Sequence, residues 1–204
     1  MKKYLLSLAA FGTITAQASN FGLLVGVDYT ALSSMNQTWT GLLGDNDKTY
    51  DFTYRPITFK VGLGTPGERY MYIYYQSATP ETDGHAWDVK LNEVGYEYFG
   101  QFDTGSKRFF PAWMFGVSYG WHDMKGSEAV EYDQDTRRTF GLKLGGGISY
   151  YVIPEIEFVA NANYQIRFYQ ALNYKTQYGL DDTVTTYDSG FNVVIGVNIW
   201  PFAR

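Results

Sequence analysis

The chain has 204 residues, with 21 acidic against 16 basic side chains, a formal charge of −5, and no cysteine. The acidic balance argues against nucleic acid as a partner, whose phosphates need a basic footprint. The missing thiols exclude a disulfide framework, a thiolate metal site and a cysteine nucleophile.

The first residues, MKKYLLSLAAFGTITAQASN, combine basic Lys2 and Lys3, an apolar run over residues 4–16, and the small-x-small site Ala16-Gln17-Ala18. That pattern predicts a secretory signal peptide over residues 1–18, cleaved after Ala18, because the run is too short for a membrane helix. Its removal deletes two lysines and no acid, taking the formal charge from −5 to −7. Residues 19–204 then form one domain, rich in Tyr, Phe and Gly, which favour strands, membrane interfaces and turns.

Period-two alternation marks extended strands, since successive side chains point to opposite sides of the pleat. In residues 21–29 it sets Phe21, Leu23, Val25, Val27 and Tyr29 against Gly22, Leu24, Gly26 and Asp28. Residues 57–63 place Ile57, Phe59, Val61 and Leu63 opposite Thr58, Lys60 and Gly62. Residues 69–76, RYMYIYYQ, are strongly β-forming but apolar or aromatic on both faces, so their facing stays open. In residues 89–98, Val89 and Leu91 are out of phase with Val94, Tyr96 and Tyr98. A bulge near Asn92-Glu93 would reconcile them and turn Glu93 and Glu97 inward.

Three more clean strands follow at residues 113–121, 140–150 and 156–168. In the last, Ile156, Phe158, Ala160, Ala162, Tyr164, Ile166 and Phe168 oppose Glu157, Val159, Asn161, Asn163, Gln165 and Arg167. Residues 191–199 make the eighth strand. Pro56 and Pro111 cannot donate to a ladder, so strand ends or bulges are expected there. The linkers alternate: 31–51, 79–87, 122–135 and 170–186 are long and polar, whereas 64–69, 100–107 and 153–155 are short. Such asymmetry predicts an all-β, eight-stranded antiparallel up-and-down transmembrane β-barrel, with both mature termini in the periplasm.

A lipocalin-like soluble barrel is the rival, with its apolar face lining a cavity. Here the polar face is largely Gly, a poor solvent-facing surface but a fitting interior for a narrow barrel. The apolar face carries Tyr29, Tyr119, Trp121 and Tyr164 toward the loops and Tyr96, Tyr98, Trp113 and Tyr150 toward the turns. These read as girdles at two headgroup levels, so the apolar face is the outside.

Across residues 20–200 this architecture resembles the small OmpA-type and opacity-type outer-membrane barrels. The resemblance implies a bacterial outer-membrane location, a monomer, and contact with outer-membrane lipid and lipopolysaccharide. Such barrels usually end on an aromatic residue. This chain runs on through WPFAR, which displaces that signal to Trp200 or Phe202.

Barrels resembling lipid A deacylases and palmitoyltransferases need a nucleophilic Ser with a His and an acid. The two histidines, His85 and His122, fall in the long linkers and read as solvated rim residues; Ser127, near His122-Asp123, is in the loop too. No metal-ligand spacing is present, and Gly145-Gly146-Gly147 precedes no helix, so neither a metal nor a phosphate-bearing cofactor is expected. The constellation that stands out is inward charge: Asp28, Glu93, Glu97 and Glu157 facing Lys60, Lys143 and Arg167. Charges in a low-dielectric lumen must pair or stay wet. Two function classes follow: a non-enzymatic structural or surface-interaction protein presenting loops to a host or environmental ligand, and a narrow passive channel for ions or small solutes.

Overall fold

The computed structural model describes residues 22–40, 48–82, 85–86, 90–123, 130–132, 136–176 and 181–201. The signal-peptide expectation, Phe21, Val89 and Phe202 lie outside them, as does the side chain of His85. Eight long strands form a closed ring: β1 (Gly22–Thr40), β2 (Ile57–Thr65), β3 (Arg69–Ala78), β4 (Leu91–Gln101), β5 (Phe109–Asp123), β6 (Thr136–Ile153), β7 (Ile156–Tyr169) and β8 (Asp181–Ile199). Each strand pairs antiparallel with its sequence neighbour, and β1 closes on β8 from Val25↔Ile199 to Thr40↔Thr185. Closure leaves no edge along the spanning region, which a bilayer requires because lipid offers backbone groups no partner.

The three short connections share one end. Pro66-Gly67-Glu68 turns with Gly67 at φ 82° and Glu68 N donating to Thr65 O at 3.1 Å. Opposite them, the strands run further than the alternation indicated. Residues 31–40 are strand rather than linker, because the register shifts between Thr30 and Leu32. That bulge inverts the facing, so even-numbered residues point inward up to Thr30 and odd-numbered ones from Ser33. Residues 181–186 are strand too, and Lys48–Phe52 adds to the outer part of β1 while Leu172–Thr176 adds to β8.

The expected bulge near Asn92-Glu93 is absent. β3 and β4 pair without a shift from Arg69↔Gly100 to Ala78↔Leu91. Leu91 is simply an inward residue, 2% exposed, and Glu93 and Glu97 are inward in the same phase. Pro56 immediately precedes β2, and Pro111 lies in the first turns of pleat of β5.

Outside, the alternating apolar residues form one continuous exposed face. Val27, Phe59, Ile73, Leu144, Phe191 and Ile195 are each 45–65% exposed. A continuous apolar face of this extent around a closed barrel marks a lipid interface. Inside, the lumen is only partly polar. Toward the short turns it holds Leu24, Tyr70, Phe99, Phe110, Met114, Tyr151 and Trp200, all buried.

Candidate functional site

The strand whose facing was open in the sequence organises the lumen. Tyr70, Tyr72 and Tyr74 all point inward from β3, 1–2% exposed, while Met71, Ile73 and Tyr75 point out. Each inward hydroxyl donates to a different buried carboxylate: Tyr70 to Glu157 at 3.3 Å, Tyr72 to Glu97, and Tyr74 to Glu93 at 2.6 Å. Glycines on neighbouring strands make the room. A Cβ on Gly95 would lie 2.5 Å from the Tyr74 ring, and one on Gly196 would collide with Asp28 Oδ1. The glycine-rich face is therefore a set of recesses that larger side chains fill.

All seven charged residues expected inside are there, between 0% and 7% exposed. Lys60 pairs with Asp28 at 2.6 Å. Lys143 bridges Glu93 at 3.3 Å and Glu97 at 3.1 Å. Arg167 meets Glu93 through Nε at 2.9 Å. Glu93 is the hub: Gln76 also donates to it at 3.0 Å, so both of its oxygens are engaged on two sides of the lumen. Three of the cations lie over tyrosine rings, Lys60 on Tyr72, Lys143 on Tyr74 and Arg167 on Tyr54, at 4.9, 4.2 and 4.6 Å. The ring faces carry negative quadrupole and add to the carboxylates' attraction.

Glu157 is the exception. Among the described residues no cation reaches it; four neutral donors do instead. Gln101 (2.8 Å) and Tyr70 donate to one oxygen, Asn198 (2.9 Å) and Trp200 Nε1 (3.1 Å) to the other. An ionised carboxylate accepts about four such bonds, so this set suits the anion.

Several members were missed in the sequence. Asp188 takes hydrogen bonds from Gln37 at 2.9 Å and Tyr169, and faces Arg167 at 3.5 Å. Arg137 donates to Thr186 at 2.8 Å and to the Gln170 carbonyl at 3.0 Å, over the rings of Tyr169 and Trp39. Both fall on short stretches left unassigned between a linker and a strand, yet continuing the phase back from Phe191 and Phe140 turns them inward. His122 corrects the rim reading: it is an inward residue of β5, 8% exposed, its ring 5.7 Å edge-on from Tyr169.

These groups close the lumen in tiers. Arg137, Trp39 and Tyr169 fill the long-loop end, the ion pairs the middle, and Tyr70, edge-on to Trp200 (5.5 Å) and stacked on Phe99 (5.1 Å), the short-turn end. Trp200 also continues the β8 backbone, its N–H donating to Glu155 O at 2.8 Å. A cavity of about 30 Å³ remains beside the pairs, lined by Asn161, Asn163, Gln165 and Asn192 among others. It is large enough for a water or two.

No family model matches the chain, and no curated protein matches it in sequence. Among solved structures it is similar to neisserial surface protein A, with a TM-score of 0.50 and 19% identity over 88% of this chain and 97% of that one. The fold is that of a small outer-membrane β-barrel. Two further matches are the N-terminal β-barrel domain of Pseudomonas aeruginosa OprF (TM-score 0.42, 13% identity, 86% and 97% covered) and the Escherichia coli outer membrane protease OmpT (0.46, 9%, 90% and 99%). In this barrel the tyrosine ladder and the ion pairs are internal, and the surfaces open to partners are the lipid-facing wall, the strand extensions above it and the short turns below it.

Proposed function

We propose that this is a non-enzymatic protein of the bacterial outer membrane, a closed barrel that anchors and presents its strand extensions and long loops at the cell surface. The observation that carries this reading is the doubly paired Glu93. It ties β3, β6 and β7 across the lumen through Tyr74, Lys143 and Arg167, where a pore would need open water. Eight strands enclose a space that side chains can fill. In this orientation the short turns and both mature termini face the periplasm.

Among the described residues, which do not include Ser127, no serine hydroxyl is hydrogen-bonded to the buried His122. Ser118, the inward serine on the same strand as His122, is four residues away, or about 13 Å. Catalytic pairs meet within hydrogen-bond reach. The seven inward charges noted in the sequence, joined by Asp188 and Arg137, act as a structural plug.

A second reading, a narrow channel for ions or small solutes, is favoured by the polar cavity beside the ion pairs. Planar-bilayer recording of the refolded protein separates the two. The closed barrel gives weak or intermittent conductance, and Lys143→Glu, which sets a third acid beside Glu93 and Glu97, raises it. Large, steady wild-type conductance unchanged by the substitution would make the channel reading the correct one.

A further inference from the structure

The short-turn end of the barrel carries a pocket that the lumen plug does not use. Residues 65–68 lean across the mouth there. Gly67 N donates to the Tyr151 hydroxyl at 3.1 Å, and a Cβ on Gly67 would lie 3.2 Å from the Phe110 ring. Between that turn, the start of β5 and the end of β6 opens a cavity of about 450 Å³. Pro66, Phe110, Tyr151, Ile153 and Pro154 supply its apolar lining. Phe110 and Tyr151 form a buried floor continuous with the lumen core, whereas Ile153 is 48% exposed at the rim. Ligand pockets span roughly 300–1,000 Å³, so this one is of useful size.

The charges lining the pocket are Glu68 on the turn and Lys107 and Arg108 just before β5. All three are exposed, and among the described residues none of them is in a salt bridge. The chain as a whole has 21 acids to 16 bases; the pocket reverses that balance, with two cations to one acid. Its walls are fixed by backbone hydrogen bonds. Gln101 N donates to Glu68 O at 2.6 Å, and Tyr151 N to Arg108 O at 2.8 Å. In the connection that carries the cations, Gly105 N donates to Asp103 Oδ1 at 2.8 Å with Gly105 at φ 71°, and Phe109 N donates to Ser106 Oγ at 3.1 Å. A pocket formed in advance loses little entropy on binding.

We propose that this pocket docks an acidic peptide segment with an apolar centre, presented by a protein of the periplasm. The inference rests on the outer-membrane reading above, which turns this end of the barrel to the periplasm. The apolar side chains of the segment settle over Phe110 and Tyr151, and its carboxylates meet Lys107 and Arg108. Glu68, on the turn side, repels carboxylates and so fixes which way the segment lies. Charge complementarity of this kind selects partner and register more than it adds affinity. The floor separates a peptide from a lipid headgroup: it belongs to the lumen, whereas lipid lies along the outer wall.

The test uses the refolded barrel in detergent micelles and a fluorescent, capped hexapeptide with a Phe-Leu centre and two acidic residues on either side, read by anisotropy. One control peptide replaces the centre with Gly-Ser, and another replaces the acids with lysines. The acidic Phe-Leu peptide is expected to bind at least about tenfold more tightly than either. Lys107→Ala with Arg108→Ala, which removes only exposed side chains, is expected to weaken it about three- to tenfold, and Glu68→Gln to strengthen it. Arg69→Ala, at an exposed cation beside the turn but outside the pocket lining, stays within twofold. A double variant within twofold of wild type overturns the proposal, as does an Arg69 variant that weakens binding equally, or a control peptide that binds as tightly. Displacement of the peptide by phosphatidylglycerol overturns it in favour of a lipid headgroup. A tenfold gain on deleting residues 202–204 overturns it in favour of this chain's own end, and self-association abolished by the double variant in favour of a second copy. The heat-dependent shift in gel migration that marks a folded membrane barrel is read on the same samples. A wild type without that shift overturns the barrel reading and the pocket with it, whereas a shifted wild type that ignores the peptide overturns only the docking site.

Discussion

Tyr74 donates its hydroxyl to Glu93 across 2.6 Å from a recess that exists because residue 95 is glycine. The two residues sit on adjacent strands, β3 and β4, with Tyr74 directly opposite Gly95 in the ladder. A Cβ there would meet the ring at 2.5 Å. Gly95→Ala must therefore displace the ring, with Lys143 stacked on it, and loosen the Glu93 hub. Tyr74→Phe removes only the hydroxyl and should cost about 1–3 kcal/mol, the penalty for leaving a buried charged acceptor with one bond fewer. Urea titration of the protein folded into lipid vesicles measures both. Gly95→Ala is expected to cost more than Tyr74→Phe, and an alanine variant as stable as wild type would remove the recess argument.

The outer wall should reject charge in proportion to depth. Ile195 is the central one of the five outward apolar residues of β8 between Phe191 and Ile199, and is 49% exposed to the surroundings. Ile195→Arg is expected to lower stability in lipid by about 2–4 kcal/mol, the cost of a cation near the bilayer midplane. Asn161→Gln, an inward change beside the polar cavity, should cost less. The same vesicle titration compares them, and free tolerance of Arg at Ile195 would mean that this wall meets water.

Orientation is open to direct labelling. Asp51 lies on the strand that extends β1, and Lys107 lies in the short connection between β4 and β5; both are exposed. With the short turns in the periplasm, Asp51→Cys should react with an impermeant thiol reagent on intact cells. Lys107→Cys should react only after the outer membrane is opened. The native chain has no cysteine to confuse the signal. Reversed labelling would invert the barrel.

The strands and their facing were legible in the sequence because a pleat places exactly one residue on each face in turn, so a run such as residues 156–168 names its inside directly. The same rule put Asp28, Lys60, Glu93, Glu97, Lys143, Glu157 and Arg167 in one lumen. Three matters were beyond it. The facing of β3 was undetermined because Tyr70, Tyr72 and Tyr74 look no more inward than Ile73 and Tyr75 until the glycines opposite them are in place. The outer half of β1 was lost to a single extra residue at the bulge, which inverts the alternation and looks like an end of strand. Charge partners were the third, since pairing depends on which side chains face each other across the closed ring. Lys143 is 46 residues from Glu97, and Arg167 is 74 from Glu93. Only closure of β1 on β8 sets those separations in space, and it left Glu157 among neutral donors rather than beside a cation.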